Sequence, residues 1–270
     1  MPQNILLSMY DWASNAFGNA VISGGGFSAD LPATNMLSPQ PQWVAEATGS
    51  SVSFDVDLLA PRSIGLIHLQ NLLVDAGATI SVTAGSYSSG IVSAWPSDQN
   101  GLYDGVEFVS LGRPRIFVVD PPVVEQTVSI SISGTSAPLR IGYVGVCETW
   151  QPPYNMSYGW RTTYLDLSDV SRVPYGSTWI IRRPKFRRLS FGIDWVPDDR
   201  PYVGGVNYVP LARRLMVSNG MSAPVMAVPF PDDPDNIERE AVWGLFSAAP
   251  EISNPFYARY ATTFQIDQLV

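Results

Sequence analysis

The most constraining feature of this sequence is a series of short apolar stretches in which apolar and polar residues alternate, separated by Gly, Pro, Ser and Asn. In residues 51–58, Val, Phe, Val and Leu occupy every second position, with Ser and Asp between them. A period of two is typical of a strand with one buried face. Further strand-like stretches follow at 64–69, 78–83, 115–119, 127–133 and 139–146. No helical period of ten residues interrupts them, so the pattern predicts an antiparallel jelly-roll sandwich.

The pattern changes after residue 148. Residues 149–176 contain three prolines and six aromatic residues without a sustained period, which predicts a crossover linker. Beyond it, the sequence predicts a strand at 186–195, a helix at 208–218 and strands at 225–230, 240–248 and 260–270. The expected fold is therefore mainly β, with a jelly roll at 1–148, a linker at 149–176 and a β-sandwich-like α+β domain with one helix at 177–270.

The charge is divided unevenly along the chain. Residues 1–149 hold 4 basic and 12 acidic residues, a net charge of −8, whereas residues 150–270 hold 12 of each. Of the 16 basic residues, only Lys185 is a lysine. Arginine is favoured where planar, bidentate pairing fixes an interface, so its excess indicates contacts between subunits.

The densest basic run comprises Arg182, Arg183, Lys185, Arg187 and Arg188. Such a run is compatible with a nucleic-acid patch or with the solvated or interface end of a strand. We favour the strand end, because an isoelectric point of about 4.6 opposes binding to DNA elsewhere on the surface. The run also lacks any accompanying nucleic-acid motif.

The chain is poor in the residues that most catalytic and metal sites use. It contains one His (His68) and one Cys (Cys147), which excludes a disulfide framework and a Cys/His zinc cluster and disfavours a nucleophilic site. His68 lies inside an apolar run and is expected to be a half-buried strand residue. We therefore expect a protein without catalytic residues, cofactor or metal.

Two groups of acids are the remaining candidates for chemistry. Asp232, Asp233 and Asp235 are close enough in sequence to gather a calcium ion, but their Asp-Pro and Asn neighbours are typical of a turn. Asp55 and Asp57 lie on one face of a strand, about 7 Å apart. That face is predicted to meet solvent, whereas a glycosidase acid needs burial to raise its pKa.

The N-terminus and the hydropathy pattern indicate whether the chain is expected to cross a membrane or to be exported. No window approaches the roughly 18 to 20 uncharged apolar residues of a membrane helix, and the first residues lack the basic start of a signal peptide. The expectation is a soluble chain that is not exported by that route.

Aromatic residues on the predicted loops are candidates for ligand contact. Exposed aromatic rings stack on sugar rings, and the candidate glycan contacts are Trp43, Tyr87, Trp95 and Tyr103. Packing within the core or a loop is the alternative for each of them.

Several motifs occur in an order that resembles a known family. The sequence LPATNML at 31–37, Trp43, the Asp-Leu end of the 51–58 strand and RSIGLIHLQN at 62–71 resemble the opening of galactose-binding-like (discoidin-type) jelly rolls. The full order is similar to that of tailed-bacteriophage and prophage minor tail proteins. Its later elements are GYVGVCETWQP at 142–152, NMSYGW at 155–160, RRPKFRRLSFGIDW at 182–195, WGLFS at 243–247 and PFYARYATTFQIDQL at 255–269.

This resemblance implies a structural protein of the virion tail, at or near the tail tip or baseplate, made in the host cytoplasm. Its C-terminal part would resemble tail-tube and distal-tail proteins, which assemble as hexameric rings. The implied partners are copies of itself, the tail tube and the tip hub, with no sequence-specific nucleic acid and no membrane. The implied interface residues are Arg182, Arg183, Lys185, Arg187, Arg188, Tyr260 and Phe264. The alternative is a carbohydrate-binding adhesion module that contacts the host cell surface.

The sequence departs from the family pattern at one position. The family has Asp-Leu-Gly at the end of the first long strand, and this chain has Asp57, Leu58 and Leu59. A leucine in place of glycine puts the expected tight turn in doubt, because left-handed backbone conformations are costly for residues with a Cβ.

Overall fold

The structure is a computed structural model. It describes residues 4–14, 17–75, 77–95, 102–103, 106–107, 114–135, 138–172, 176–183, 185–197, 215, 219–257 and 259–269. The strands are β1 (Leu6–Asp11), β2 (Val21–Gly24), β3 (Ala45–Glu46), β4 (Ser51–Gln70), β5 (Thr79–Ala84), β6 (Tyr87–Ser88), β7 (Val92–Ser93), β8 (Leu102–Tyr103), β9 (Val106–Glu107), β10 (Arg115–Ser133), β11 (Arg140–Ile141), β12 (Tyr143–Trp150), β13 (Arg161–Asp166), β14 (Asp169–Arg172), β15 (Thr178–Ile181), β16 (Lys185–Pro197), β17 (Val225–Val228), β18 (Val242–Phe246), β19 (Glu251–Phe256) and β20 (Arg259–Gln268). A 3-10 helix spans Ala33–Leu37, and a short helix α1 spans Ile237–Glu240.

Most strands belong to one continuous antiparallel sheet. Its order is β13-β16-β20-β18-β17-β1-β12-β4-β10-β5-β6, with β19 beside β20, β2 beside β4 and β7 beside β5. The predicted fold class, mainly β with antiparallel sheets, is confirmed. Three further two-stranded sheets are formed by β3 with β11, β8 with β9, and β14 with β15.

The jelly-roll half is built on two long paired strands. β4 and β10 lie antiparallel along almost their whole length, with register shifts near Val118/Val123 and Glu125/Thr127. The first part of β4 shows the predicted alternation, since Val52, Phe54 and Val56 are buried and Ser51 and Ser53 are exposed. The first part of β4 also pairs with β2, and its last part pairs with β12.

The tight turn expected after Leu58 does not end the strand, because β4 continues through Leu59 to Gln70. Leu59 has a positive φ of 63°, the left-handed conformation that glycine adopts freely. Its N–H donates to Oδ1 of Asp57 at 2.8 Å. The side chain is exposed, so leucine meets no steric obstacle beyond its own backbone strain.

Strand β1 joins the two halves of the sheet. Leu6 and Leu7 pair with β17, and Leu7 to Asp11 pair with β12. Ile5, Leu7 and Met9 enter the core of the second half, among residues of β16, β17, β18 and β20. The predicted domain limit near residue 149 is therefore crossed by a strand from the start of the chain.

The sheet curls where the two halves meet. Trp243 of β18 stacks on Tyr143 of β12 with ring centroids 4.7 Å apart, and lies 6.0 Å from the ring of His68 on β4. Four strand steps in a flat sheet would separate β18 from β4 by about 19 Å. The curl encloses a buried group that we call the seam cluster: Leu6, Leu66, Ile116, Tyr143, Cys147, Met226, Val228, Ile237, Ala241 and Trp243.

The second half contains more strands than the sequence predicted. The strand at 186–195 and the three closing strands are present as β16, β17, β18 and β20. The segment predicted as a linker, 149–176, also contains β13 and β14, and β19 was not predicted. The helix predicted at 208–218 lies outside the described residues apart from Leu215, which is buried. Among the residues described, no helix has the length and apolarity to cross a bilayer.

Candidate functional site

Polar side chains gather inside the seam cluster. Asp11, His68, Tyr143 and Cys147 are all buried there, on three neighbouring strands. Asp11 pairs with Cys147 across β1 and β12, and His68 pairs with Gly145 across β4 and β12. Because side chains two residues apart share one face of a strand, the register places these four side chains on one face of the sheet. We call Asp11, His68, Tyr143 and Cys147 the seam site.

Two local features bring the seam site together. A β-bulge between Ser8 and Tyr10 inserts one extra residue into β1, which reverses the alternation of its side chains. Asp11 therefore points to the same face of the sheet as Leu6, and not to the face of Leu7. The second feature is Gly145, which has no side chain opposite His68. A Cβ at this position would lie 2.1 Å from Nε2 of His68, so the imidazole ring occupies the space a side chain would need.

The carboxylate of Asp11 is the centre of the hydrogen bonds at this site. Tyr143 donates its hydroxyl hydrogen to Oδ2 at 2.6 Å, and the backbone N–H groups of Val146 and Ala13 donate to Oδ1 at 3.0 and 3.1 Å. Nδ1 of His68 lies 3.1 Å from Nε2 of Gln70. The bonds to Asp11 link β1 to β12, and they satisfy a carboxylate whose burial would otherwise cost free energy.

Burial dominates the pKa values of the seam site. It raises the pKa of Asp11 to about 6, against the lowering effect of the Tyr143 and backbone hydrogen bonds. It lowers the pKa of His68 to about 3, so the imidazole is neutral at pH 7. The pKa values of Tyr143 and Cys147 are raised well above their usual range by burial and by the nearby Asp11. The 3.9 Å approach of His68 Nε2 to Asp11 Oδ2 is therefore not an ion pair at neutral pH.

A second unusual region is exposed. β14 and β15 form a hairpin that extends from the β13/β16 pair, and all eight of its strand residues are exposed. Val170 pairs with Ile180 on one face, while Trp179 and Ile181 lie on the other. We call this hairpin, together with Leu167, the arm. Its apolar residues are exposed by 50% to 67% of their surface: Leu167, Val170, Trp179, Ile180 and Ile181.

The basic run begins at the base of the arm, and most of it is paired within the chain. Arg183 bonds Asp169 at 2.7 Å, and Lys185 lies 3.4 Å from Asp166. Arg188 makes a bidentate pair with Asp267, at 2.5 and 2.6 Å. Arg187 donates to the backbone carbonyls of Arg239 and Ala241, and burial lowers its pKa. Arg182 is exposed. These ion pairs are not evidence for a nucleic-acid patch, because most of the charge is already matched.

The two aromatic interface candidates are placed differently. Tyr260 is partly buried against the core of the second half. Phe264 is fully buried there, with its ring stacked on that of Phe191 at 5.1 Å between centroids. The prediction of an interface role for Phe264 is corrected, because a side chain enclosed by its own chain is not available to a partner.

The structure separates the candidate glycan contacts. Trp43 is 54% exposed on the loop before β3. Tyr87 packs partly against the jelly-roll core at the Ala84 end of β5. Trp95 is partly buried and follows β7, which pairs at the Thr79 end of β5, about 17 Å from Tyr87 by strand rise. The side chain of Tyr103 lies outside the described residues.

The acidic candidates have structural explanations. Asp57 accepts a hydrogen bond from Gln126, which together with the Leu59 N–H lowers its pKa and is opposite to what a general acid needs. Asp233 accepts from the amide of Asn236 in the turn that leads into α1.

An open hollow of about 620 Å³ lies elsewhere, lined by Tyr154, Asn155, Ser157, Tyr158, Asp194 and Arg259. Its Asn155 oxygen already accepts the N–H groups of Ile5 and Met156.

Sequence reasoning missed Asp11 and Cys147 as members of a polar site, and it missed the arm. No local motif marks the seam site, because its members are separated by 57 and 79 residues along the chain and meet only through strand register. The arm left a weak signal, the apolar triplet Trp179-Ile180-Ile181 directly before the basic run.

No protein-family model matches the chain, and no curated protein matches it in sequence. Similar solved structures do exist. A fucose binding module of Streptococcus pneumoniae is 11% identical, with a TM-score of 0.36 over 52% of this chain and 98% of that one. The lectin binding domain of lectinolysin, complexed with Lewis b, is 12% identical, with a TM-score of 0.36 over 53% of this chain and 98% of that one.

A third similar structure, SpGH29, is 18% identical with a TM-score of 0.36, and the match covers 52% of this chain but only 28% of that one. Two of these three structures are thus sugar-binding proteins by their descriptions. The resemblance to tail proteins stays a prediction.

Proposed function

We propose that this protein acts by contact rather than by catalysis, as a structural component of a larger assembly. The observation that carries the proposal is the arm. An isolated two-stranded hairpin is marginally stable in water, and apolar side chains exposed on both faces of a hairpin mark a surface that a partner covers. At the base of the arm, Arg183 pairs with Asp169 and Lys185 with Asp166.

The partner that this surface suits is another copy of the chain. The arm continues from β13, which is the outermost strand of the large sheet among the described residues, so a sheet edge and an apolar hairpin lie side by side. A contact in which the arm of one copy meets a different surface of the next is heterologous, and such contacts close into rings. The sequence resemblance suggests which assembly to examine: the tail of a bacteriophage, at or near its tip.

The test is the oligomeric state of the full chain. Light scattering coupled to size exclusion is expected to show multimers for the wild type and monomers for the double variant Trp179→Ser, Ile180→Ser. Ile91→Ser is the matched control, because it removes an exposed apolar side chain from the jelly-roll half and should leave the multimer intact. A wild type that is monomeric at every concentration would contradict self-assembly. Labelling of the chain in purified tails would then test the tail itself.

Carbohydrate binding by the jelly roll is the second candidate function. Exposed Trp43 favours it, because an indole ring presented to solvent from a loop is suited to stacking on a sugar. The ligands to test first are fucose and Lewis b, on a glycan array. Trp43→Ala should abolish any binding, whereas Trp179→Ala, which removes an equally exposed indole from the arm, should retain it. An array without signal for the wild type would reject this role.

A further inference from the structure

One atom of the seam site has no partner. Nε2 of His68 is buried and makes no hydrogen bond. It points toward Oδ2 of Asp11, 3.9 Å away, while Nδ1 is engaged by Gln70. Buried polar atoms almost always have partners, so an orphan atom inside a polar cluster calls for an explanation. This observation is independent of the arm and of the function proposed above.

The atoms around Nε2 form a set of three potential metal ligands. A carboxylate oxygen of Asp11, a ring nitrogen of His68 and Sγ of Cys147 all lie within 4.8 Å of one another. In a tetrahedral zinc site, bonds of 2.0 to 2.3 Å hold neighbouring ligand atoms about 3.3 to 3.8 Å apart. The three atoms are thus close to the separations of three of the four positions in such a site, and side-chain movements of about 1 Å or less would bring them there. A water molecule or a further donor would fill the fourth position.

We propose that Asp11, His68 and Cys147 bind a zinc ion that ties β1, β12 and β4 together. Nitrogen, oxygen and sulfur donors in one site are the combination that zinc accepts readily. Binding converts the Cys147 thiol to a thiolate, with its proton released to solvent, and it places a positive ion beside a buried carboxylate. All three ligands are buried, which suits an ion that holds strands together.

The surroundings of the three residues suit this role. The side-chain amide of Gln70 can be turned to accept from Nδ1–H of His68, which leaves the Nε2 lone pair for the metal and fixes the ring. Tyr143 donates to Oδ2 of Asp11, and the backbone N–H groups of Val146 and Ala13 donate to Oδ1, so these bonds orient the carboxylate. Gly145 leaves the space that the imidazole occupies.

The chain makes the test unusually specific, because His68 is its only histidine and Cys147 its only cysteine. Full-length protein without an affinity tag is incubated with zinc chloride, freed of excess metal and analysed by mass spectrometry of metals. We expect about one zinc per wild-type chain, and less than a tenth of that for Cys147→Ser and for His68→Gln. Ile91→Ser is the control, since it changes an exposed side chain outside the seam site, and should keep the zinc.

Cobalt substitution keeps the proposal falsifiable if the variants fail to fold. Wild-type protein loaded with cobalt chloride should show a thiolate-to-cobalt charge-transfer band in the near ultraviolet, and that band can arise only from Cys147. Absence of zinc from the wild type, absence of the cobalt band, or equal zinc content in folded Cys147→Ser and His68→Gln would each overturn the proposal.

Discussion

The seam site and the arm depart from ordinary side-chain placement in opposite directions. The seam site holds the charged or polar side chains of Asp11, His68 and Tyr143 among apolar ones, whereas the arm exposes Trp179 and Ile180 to solvent. Buried polar groups are tolerated only with partners, and here nearly all partners come from within the chain. The apolar groups of the arm have no cover within the described residues, and the partner proposed for them is another copy of the chain. The comparison contrasts polar groups that are satisfied inside the fold with apolar groups that remain exposed on it.

The largest expected difference between the two regions comes from removing the Asp11 carboxylate, which accepts most of the hydrogen bonds in the seam site. Asp11→Ala leaves the Tyr143 hydroxyl and two backbone N–H groups without an acceptor in the core. We expect the free energy of unfolding to fall by about 4 kcal/mol. Trp179→Ser in the arm should change monomer stability by less than about 0.5 kcal/mol. Urea unfolding measures both, and equal losses for the two variants would contradict the assignment.

A second prediction concerns pH and the rim of the seam cluster. Burial raises the pKa of Glu238 from 4.5 to about 7, although its ion pair with Arg115 opposes the rise. The folded chain then binds this proton more tightly than the unfolded chain between pH 4.5 and 7. Stability should therefore fall as the pH rises through that window, by about 3 kcal/mol from this group at most.

Glu238→Gln cannot ionise and isolates that contribution. Denaturation measured at pH 5 and pH 8 should show a smaller pH-dependent loss for Glu238→Gln than for the wild type. Asp169→Asn, which removes the acid of an exposed pair at the arm, should leave the wild-type pH dependence unchanged. Identical pH profiles for Glu238→Gln and the wild type would show that Glu238 ionises normally in the fold.

Gly145 offers a smaller perturbation of the same site. Gly145→Ala places a methyl group against His68, and we expect a loss of about 2 kcal/mol from the displaced ring. Gly77→Ala is the matched control, because a Cβ there meets no atom within 4 Å. Thermal unfolding of the two variants should separate them by several degrees. A neutral Gly145→Ala would mean that the His68 ring is not held against β12.

The smallest expected effect is at Leu59, outside the arm. It tests whether the exposure of a side chain is enough to make its substitution neutral, as we expect for the arm. Leu59 is as exposed as the arm residues, but its backbone is in the left-handed region. Leu59→Gly should raise the free energy of unfolding by about 0.5 kcal/mol, because relief of strain outweighs the added flexibility of the unfolded chain. Leu167→Gly in the arm should bring no such gain. A destabilised Leu59→Gly would show that the leucine side chain contributes contacts.

The sequence predicted the strands with a clear apolar pattern, but it did not predict β13, β14, β19 or the sites. The alternation at 51–58 predicts the buried face of β4 because a half-buried strand records its environment residue by residue. The position of Asp11 depends on a bulge that reverses the alternation, and its neighbours His68 and Cys147 come from strands distant in sequence. The arm was hidden in a segment predicted as a linker, since residues that face solvent on both sides carry no periodic pattern. Phe264 was misjudged because an aromatic residue in a closing strand suits an interface and a core equally well.

The position of β1 has a mechanical consequence. Within the described chain, the path of hydrogen bonds from β17 to β12 passes through β1 alone. A force that pulls the two halves apart across the sheet would open these bonds one after another, with only two register pairs holding β1 to β17. If the chain bears tension, we expect it to yield first at this junction, and its opening would withdraw Ile5, Leu7 and Met9 from the core of the second half.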